Sequence, residues 1–223
     1  MKRPDLSHHI GVQDDQTNSR LALLMRRQPV QARGAATVSA ILDACQALLN
    51  ERDYDSITTA RIAESAGIPI GSFYQYFPDK RSVVRALALR CTDKFLTEVD
   101  EYFTAAPDDW RQAVAGVLAV HERMRKQDAN FGRVRFAEVL DNHLEDPESD
   151  HRRLVADRLG SLFATRYKVR KGAGYRLAFL AAVESGGSLL QMADRVPSRQ
   201  RRQVVGTAQE VITTLLAKAL EKS

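Results

Sequence analysis

The stretch that decides the fold is TTARIAESAGIPIGSFYQYFPDK, Thr58 to Lys80. It has the form of a short helix, a glycine turn and a second short helix. Thr58 starts the first, because its hydroxyl can accept from the free amides of the opening turn. Ile62, Ala63 and Ala66 face inward, and Gly67 supplies the positive φ of a tight turn between crossing helices. Pro69 suits the first position of the next helix, where a missing N–H costs nothing, and Pro78 ends it. Such a pair lets the second helix lie in the major groove of DNA, its N-terminal residues at the base edges.

No charged residue lies between Ser65 and Pro78. The exposed face must therefore work through Ser72, Tyr74, Gln75 and Tyr76, the backbone at Gly71 and an apolar contact from Ile70. Gly71 lets the backbone approach a phosphate or base. Ile70 can touch a thymine methyl, and Gln75 can pair bidentately with adenine. Tyrosine hydroxyls suit phosphates, and positive charge comes from the flanks through Arg61 and Lys80, with Arg81 further out. Phe73 and Phe77, four residues apart, belong to the inward face. For Tyr74 and Tyr76 the competing assignment is that they too are core aromatics.

Working outward, strand-like alternation is absent and the pattern is helical throughout. Val38, Ile41, Leu42, Cys45, Leu48 and Leu49 draw one apolar stripe on a helix from about Ala35 to Glu51. It stops near Asn50 to Asp53, residues that tolerate a left-handed terminus. Asp79 caps a long helix reaching about Thr104. Beyond Pro107, helices are expected over about 108–127, 130–142, 147–167, 174–195 and 198–221. Residues 1–32 form a flexible basic arm; Arg26 and Arg27 there, with Arg33 just beyond, suggest contact with an adjacent minor groove, against a simple solvated tail. The expected organisation is all-α, with the arm, a DNA-binding domain at 33–94 and a larger helical domain at 95–223.

The run from Ile57 through Lys80 resembles the N-terminal domain of TetR-family transcriptional regulators. The matching elements are the Thr-rich entry, Ile62-Ala63, Ala66-Gly67-Ile68, Gly71-Ser72-Phe73-Tyr74, Tyr76-Phe77 and Lys80. With the preceding amphipathic helix they cover about residues 35–94. The resemblance implies that Thr59, Ile70, Gly71, Ser72, Tyr74, Gln75, Tyr76 and Lys80 match the family's DNA-facing positions. Pro69 departs from the capping Ser or Thr of many members, which puts one phosphate contact in doubt. Asp53 stands where glycine is common, and a little strain is expected there.

The resemblance also implies a C-terminal ligand-binding and dimerisation domain, its last two helices forming a four-helix bundle with a second copy. The residues support that geometry independently. Leu177 to Ala193 carries Glu184 as its one charge and is apolar nearly all round, as a doubly covered helix should be. Gly186 and Gly187 would allow close helix approach. Val204, Ala208, Val211, Ile212, Leu215, Leu216 and Ala219 give the last helix a stripe wide enough for core and partner; a monomeric core is the alternative.

For a small apolar effector the candidate residues are Phe103, Trp110, His121, Met124, Phe131, Phe136, Phe163, Tyr167, Phe179 and Glu184, with Phe95 and Tyr102 beside them. At helical spacing such residues are more often plain core than ligand contacts. Glu184, a lone acid on an apolar helix, needs a partner or a cavity, and either a neutralising Arg or a cationic ligand would serve. A C-terminal pocket of ~300 Å³ or more would mark a sensor, and a filled core a ligand-independent DNA-binding protein.

Bulk properties set the remaining bounds. The net charge of +5 is compatible with a nucleic-acid partner, yet residues 33–94 hold eight Lys or Arg against seven Asp or Glu. Overall charge would not have found the site. Long uncharged apolar runs and a secretory leader are absent, so a cytoplasmic protein without a membrane span is expected. Cys45 and Cys91 sit in apolar helical patterns as buried thiols. The five histidines show no metal-ligand spacing, and no phosphate loop or nucleophile motif stands out. No enzyme, cofactor or metal is expected.

Overall fold

The computed structural model describes residues 24–26, 32–127, 131 and 151–221, apart from the side chain of Ala173. Among these all regular structure is helical, and no helix is long and apolar enough to cross a membrane. The chain divides into two compact units whose boundary on the long central helix falls between Arg90 and Cys91.

The first unit opens with α1 (Ala32–Glu51). Its stop differs from the expected left-handed terminus. Arg52 N–H still bonds the Leu48 carbonyl at 2.9 Å, and Asp53 is extended at φ −72°, ψ 149°. Any L-residue adopts that conformation, so the strain expected of Asp53 in place of glycine is absent. A 3₁₀ turn (Tyr54–Ser56) leads to α2 (Thr59–Ser65), whose first turn is capped by Thr58 Oγ1 accepting from Arg61 N–H at 3.2 Å.

Gly67 ends that helix at φ +65°. The Gly67 N–H bonds the Glu64 carbonyl and the Ile68 N–H the Ala63 carbonyl, both at 3.0 Å. This pair of bonds is the Schellman stop, which satisfies the last carbonyls only if one residue turns left-handed. Pro69 lies one residue outside α3 (Ile70–Tyr76), and its carbonyl accepts from Ser72 N–H at 2.9 Å. Asp79 Oδ1 then accepts from Ser82 N–H at 2.7 Å, opening α4 (Lys80–Phe103).

Ile41, Cys45, Ile62, Phe73, Phe77 and Leu87 are fully buried around this core, each large side chain contributing roughly 1.5–3 kcal/mol. Burial pushes the Cys45 thiol up to about 12, against the pull of Arg90 and Lys80, which leaves it an inert hydrophobe. Arg90 ties α4 to α1 through Asp43 at 2.7 Å and Gln46 at 2.9 Å. The backbone N–H of Arg26 bonds the Tyr76 carbonyl at 2.8 Å; the rest of the arm before Ala32, beyond Leu24–Arg26, lies outside the described residues.

The second unit takes the remainder of α4 and adds α5 (Trp110–Gln127), α6 (His151–Tyr167), α7 (Ala173–Arg195) and α8 (Ser198–Leu220). The helix expected over 130–142 and the start of the one expected from 147 lie outside the described residues, Phe131 excepted. Forked ion pairs hold these helices in register. Arg158 donates to both oxygens of Asp100, at 2.9 and 2.6 Å. Arg201 does the same to Glu122, at 3.1 and 2.7 Å, and adds Asp194 at 2.6 Å. Arg166 reaches the Ala106 carbonyl and Asp108. A Cβ built on Gly186 would stand 2.6 Å from Ile212 Cδ1, so α7 and α8 meet closely because that position has no side chain.

Candidate functional site

In the first unit α3 buries one face and shows the other. Phe73 and Phe77 point inward with their rings 6.2 Å apart, as four-residue spacing predicts. Ile70 is 44% and Tyr74 41% exposed, and Gly71 and Gln75 are exposed beside them. Ser72, Tyr76 and Thr59 are half-buried. Tyr74 is therefore no core residue, although its ring meets Phe73 edge-on at 5.4 Å. Its hydroxyl is fixed by a hydrogen bond of 2.9 Å with Thr59 Oγ1 on α2. That bond orients the phenol before any DNA arrives and joins the two helices through the outward face.

The flanking charges are not alike. Arg61 is exposed and donates one N–H to the Ser56 carbonyl at 3.0 Å. Lys80 turns onto its own unit. Its Nζ donates to the carbonyls of Tyr54 and Ile57, both at 2.8 Å, and sits 4.0 Å from the centre of the Tyr54 ring. The 3₁₀ turn presents carbonyls that an ammonium satisfies, so Lys80 clamps the entry to α2 in this DNA-free structure. The outward surface is apolar and hydroxylic, with charge at the Arg61 side.

The second unit contains a chamber. Its volume is about 70 Å³, room for roughly five waters at ~10–15 Å³ each. That is smaller than the ~300 Å³ expected of a sensor pocket. His121, Phe163 and Phe179 line it, with Phe95.

Phe103, Trp110, Met124, Tyr167 and Glu184 are not among its walls. Phe103 stacks on Phe163 at 5.2 Å, and Trp110 is buried under the Arg111 guanidinium. Met124 is half-buried on α5. Tyr167 donates its hydroxyl to the Pro107 carbonyl at 2.8 Å. Glu184 accepts from Arg152, which resolves the lone acid as an ion pair. Phe131 packs on His121 at 5.2 Å and on Phe95 at 6.1 Å, while Phe136 lies outside the described residues.

Most wall residues are aliphatic, among them Val114, Leu118, Val155, Leu159, Leu190 and Leu216. A search for aromatic and polar groups misses these. The stripe at 114, 118 and 121 on α5, matched by 152, 155, 159 and 163 on α6, was the available signal. No group of three or more His, Cys, Asp or Glu able to hold a metal occurs among the described residues.

A short helix stopped by a left-handed glycine, followed by a second helix with an exposed apolar and hydroxylic face, has the form of a helix–turn–helix DNA-binding unit. Comparison with known proteins agrees. Residues 41–87 match the family described as "Bacterial regulatory proteins, tetR family", and residues 108–220 the "Tetracyclin repressor-like, C-terminal domain". A TetR-family transcriptional regulator from Streptomyces coelicolor is 30% identical, with 82% of this chain and 99% of that one covered and a TM-score of 0.65. Two further structures share the fold at 21% identity. SmeT, the repressor of a Stenotrophomonas maltophilia multidrug efflux pump, has a TM-score of 0.57 over 83% of this chain and 91% of its own. RolR, solved with its ligand resorcinol, has 0.56 over 81% and 95%. No curated relative matches. The chain belongs to the TetR family and is a DNA-binding transcriptional regulator; both matched domains are those of regulators.

Proposed function

We propose that the chain is a repressor that binds a palindromic operator as a homodimer and leaves it when a small apolar effector enters the chamber of the second unit. Thr59, Arg61, Ile70, Gly71, Ser72, Tyr74, Gln75, Tyr76 and Lys80 form the reading surface, within a domain spanning about 33–94. Residues from 95 onward carry the effector site and the dimer face. Support for the dimer comes from side chains left uncovered on one copy. Leu177 is 66% and Met192 50% exposed on α7, and Val204, Val211 and Leu215 are half-buried on α8.

The observation that carries effector control is the place of Phe95. It belongs to a chamber wall and also to α4, the helix that begins at Lys80 directly after the recognition helix. A ligand that binds one position of α4 better than another shifts the equilibrium by that difference in affinity and no more. Selection of bound sequences from a random DNA pool tests the first half. The expected product is a palindrome with half-sites about 34 Å apart, and asymmetric single sites would overturn the dimer. Equal operator affinity across a broad ligand screen would overturn effector release and leave a ligand-independent DNA-binding protein on the same scaffold.

A further inference from the structure

We infer that Leu24–Arg26 is a strap held on the end of the recognition helix, and that Arg26 contacts the phosphodiester backbone of DNA from there. This rests on the reading surface proposed above and supplies a charge that α3 lacks. The last carbonyls of a helix have no partner within it. At the end of α3 the Phe73 carbonyl takes the Phe77 N–H at 3.0 Å, and the Tyr76 carbonyl takes the Arg26 N–H at 2.8 Å. The second donor comes from a segment ahead of α1. A part of the chain outside the helix–turn–helix therefore completes its recognition helix.

That tie fixes where Arg26 stands. Leu24 and Met25 are half-buried and Arg26 is exposed, so two apolar side chains are sheltered and the charged one is left outside. Its guanidinium donates to no group among the described residues. Asp79, the next carboxylate in the chain after Tyr76, is engaged by Ser82 N–H at 2.7 Å.

Groove dimensions then select the phosphate. α3 has 7 residues, which at 1.5 Å each makes it about 10 Å long, and the major groove is about 12 Å wide. With Ile70 and Gly71 at the base edges, the last turn stands at the wall of the groove, and that wall is sugar and phosphate. No charged residue lies between Ser65 and Pro78, and the C-terminal carbonyls of a helix are its negative end. A phosphate meeting that end alone would be repelled. The Arg26 N–H covers one of those carbonyls, and its guanidinium presents donors in a fork that fits phosphate oxygens. A contact of this kind positions the protein without reading sequence.

Fluorescence anisotropy of the full-length protein, with a duplex selected from the random pool, tests this between about 50 and 200 mM salt. Arg26→Gln is expected to weaken binding about fivefold for each half-site bound at about 150 mM salt, and to flatten the plot of log affinity against log salt by about 0.9 for each. The loss should be the same on the selected duplex and on versions of it changed at single base pairs. Arg26→Lys should keep most of the slope. Arg176→Gln, which removes the same charge from an exposed position on α7, should leave the slope unchanged. Circular dichroism and melting establish that each variant is folded. In the free protein the Arg26 amide, held by Tyr76, should exchange its hydrogen more slowly than in an unfolded chain. Unchanged affinity and slope in Arg26→Gln, an equal change in Arg176→Gln, or an unprotected Arg26 amide would each overturn the assignment. A loss confined to particular base pairs would overturn it in favour of a reach into the minor groove. Tyr74→Ala in the same assay separates this contact from the reading surface. Full affinity in Tyr74→Ala with a flattened slope in Arg26→Gln would sink the surface and leave the strap; the opposite pair of results would sink the strap alone.

Discussion

The reading surface and the chamber are built by opposite means. On the first, the turn that aims the recognition helix is set by bonds within a few residues: Thr58 to Arg61, Gly67 to Glu64, Ile68 to Ala63. Its longest outward side-chain tie, Thr59 to Tyr74, spans fifteen residues. The chamber depends on partners far apart in the chain, 58 residues for Arg158 and Asp100 and 79 for Arg201 and Glu122. A locally coded surface tolerates change elsewhere. A space between helices depends on every pair that fixes their register.

That contrast can be broken most forcefully at Tyr74. Tyr74→Ala should leave folding intact, because the side chain is half outside, and weaken operator binding about a hundredfold, near 2.7 kcal/mol, by fluorescence anisotropy. Wild-type affinity would show that the outward phenol reads nothing. Gln75→Ala should act differently, relaxing preference at one base pair by roughly 1–3 kcal/mol. A uniform loss over all sequences would reassign Gln75 to a phosphate.

On the chamber side, Glu122→Gln should destabilise by roughly 1.5–3 kcal/mol, the range for hydrogen bonds to charged groups, read in urea. Burial alone would raise the Glu122 carboxyl, but the neighbouring His121 ring, the Arg201 fork and the charge of Arg125 outweigh it and bring it down to about 2. A depressed carboxyl stabilises the fold above its unfolded value near 4.5, and the contribution is lost as pH falls from there toward 2. The variant should therefore lose less stability than the wild type over that window. Parallel curves would remove Glu122 from the register-holding set.

The two left-handed positions among the described residues give the finest comparison. Gly67→Ala should cost roughly 1–2 kcal/mol and spare the chamber. A Cβ there meets nothing within 4 Å, so the cost is conformational alone. Lys168, at φ 56°, makes the same kind of stop after α6, with Val169 N–H bonded to the Ala164 carbonyl at 3.1 Å. Lys168→Gly should raise stability by up to about 1 kcal/mol, the glycine entropy term offsetting part of the relief. A fall in the melting temperature would contradict it.

How much was legible follows the same divide. The sequence by itself determined the helices, the turn at Gly67, the inward Phe73 and Phe77 and the outward Ile70, Tyr74 and Gln75, because three- and four-residue spacing and a glycine's freedom are local physics. It also marked Glu184 as an acid in need of a partner. Only the tertiary structure decided that the partner is Arg152, that Lys80 clamps Tyr54 and Ile57, that Asp53 is unstrained, and that aliphatic stripes rather than Phe103, Trp110, Met124 or Tyr167 wall the chamber. Those outcomes depend on which helix faces which, and at what register. A spacing pattern shows that a helix has an apolar face but carries no label for what the face meets. The turn first seen in Thr58 to Lys80 is written in its own neighbours; the chamber needed five helices packed together.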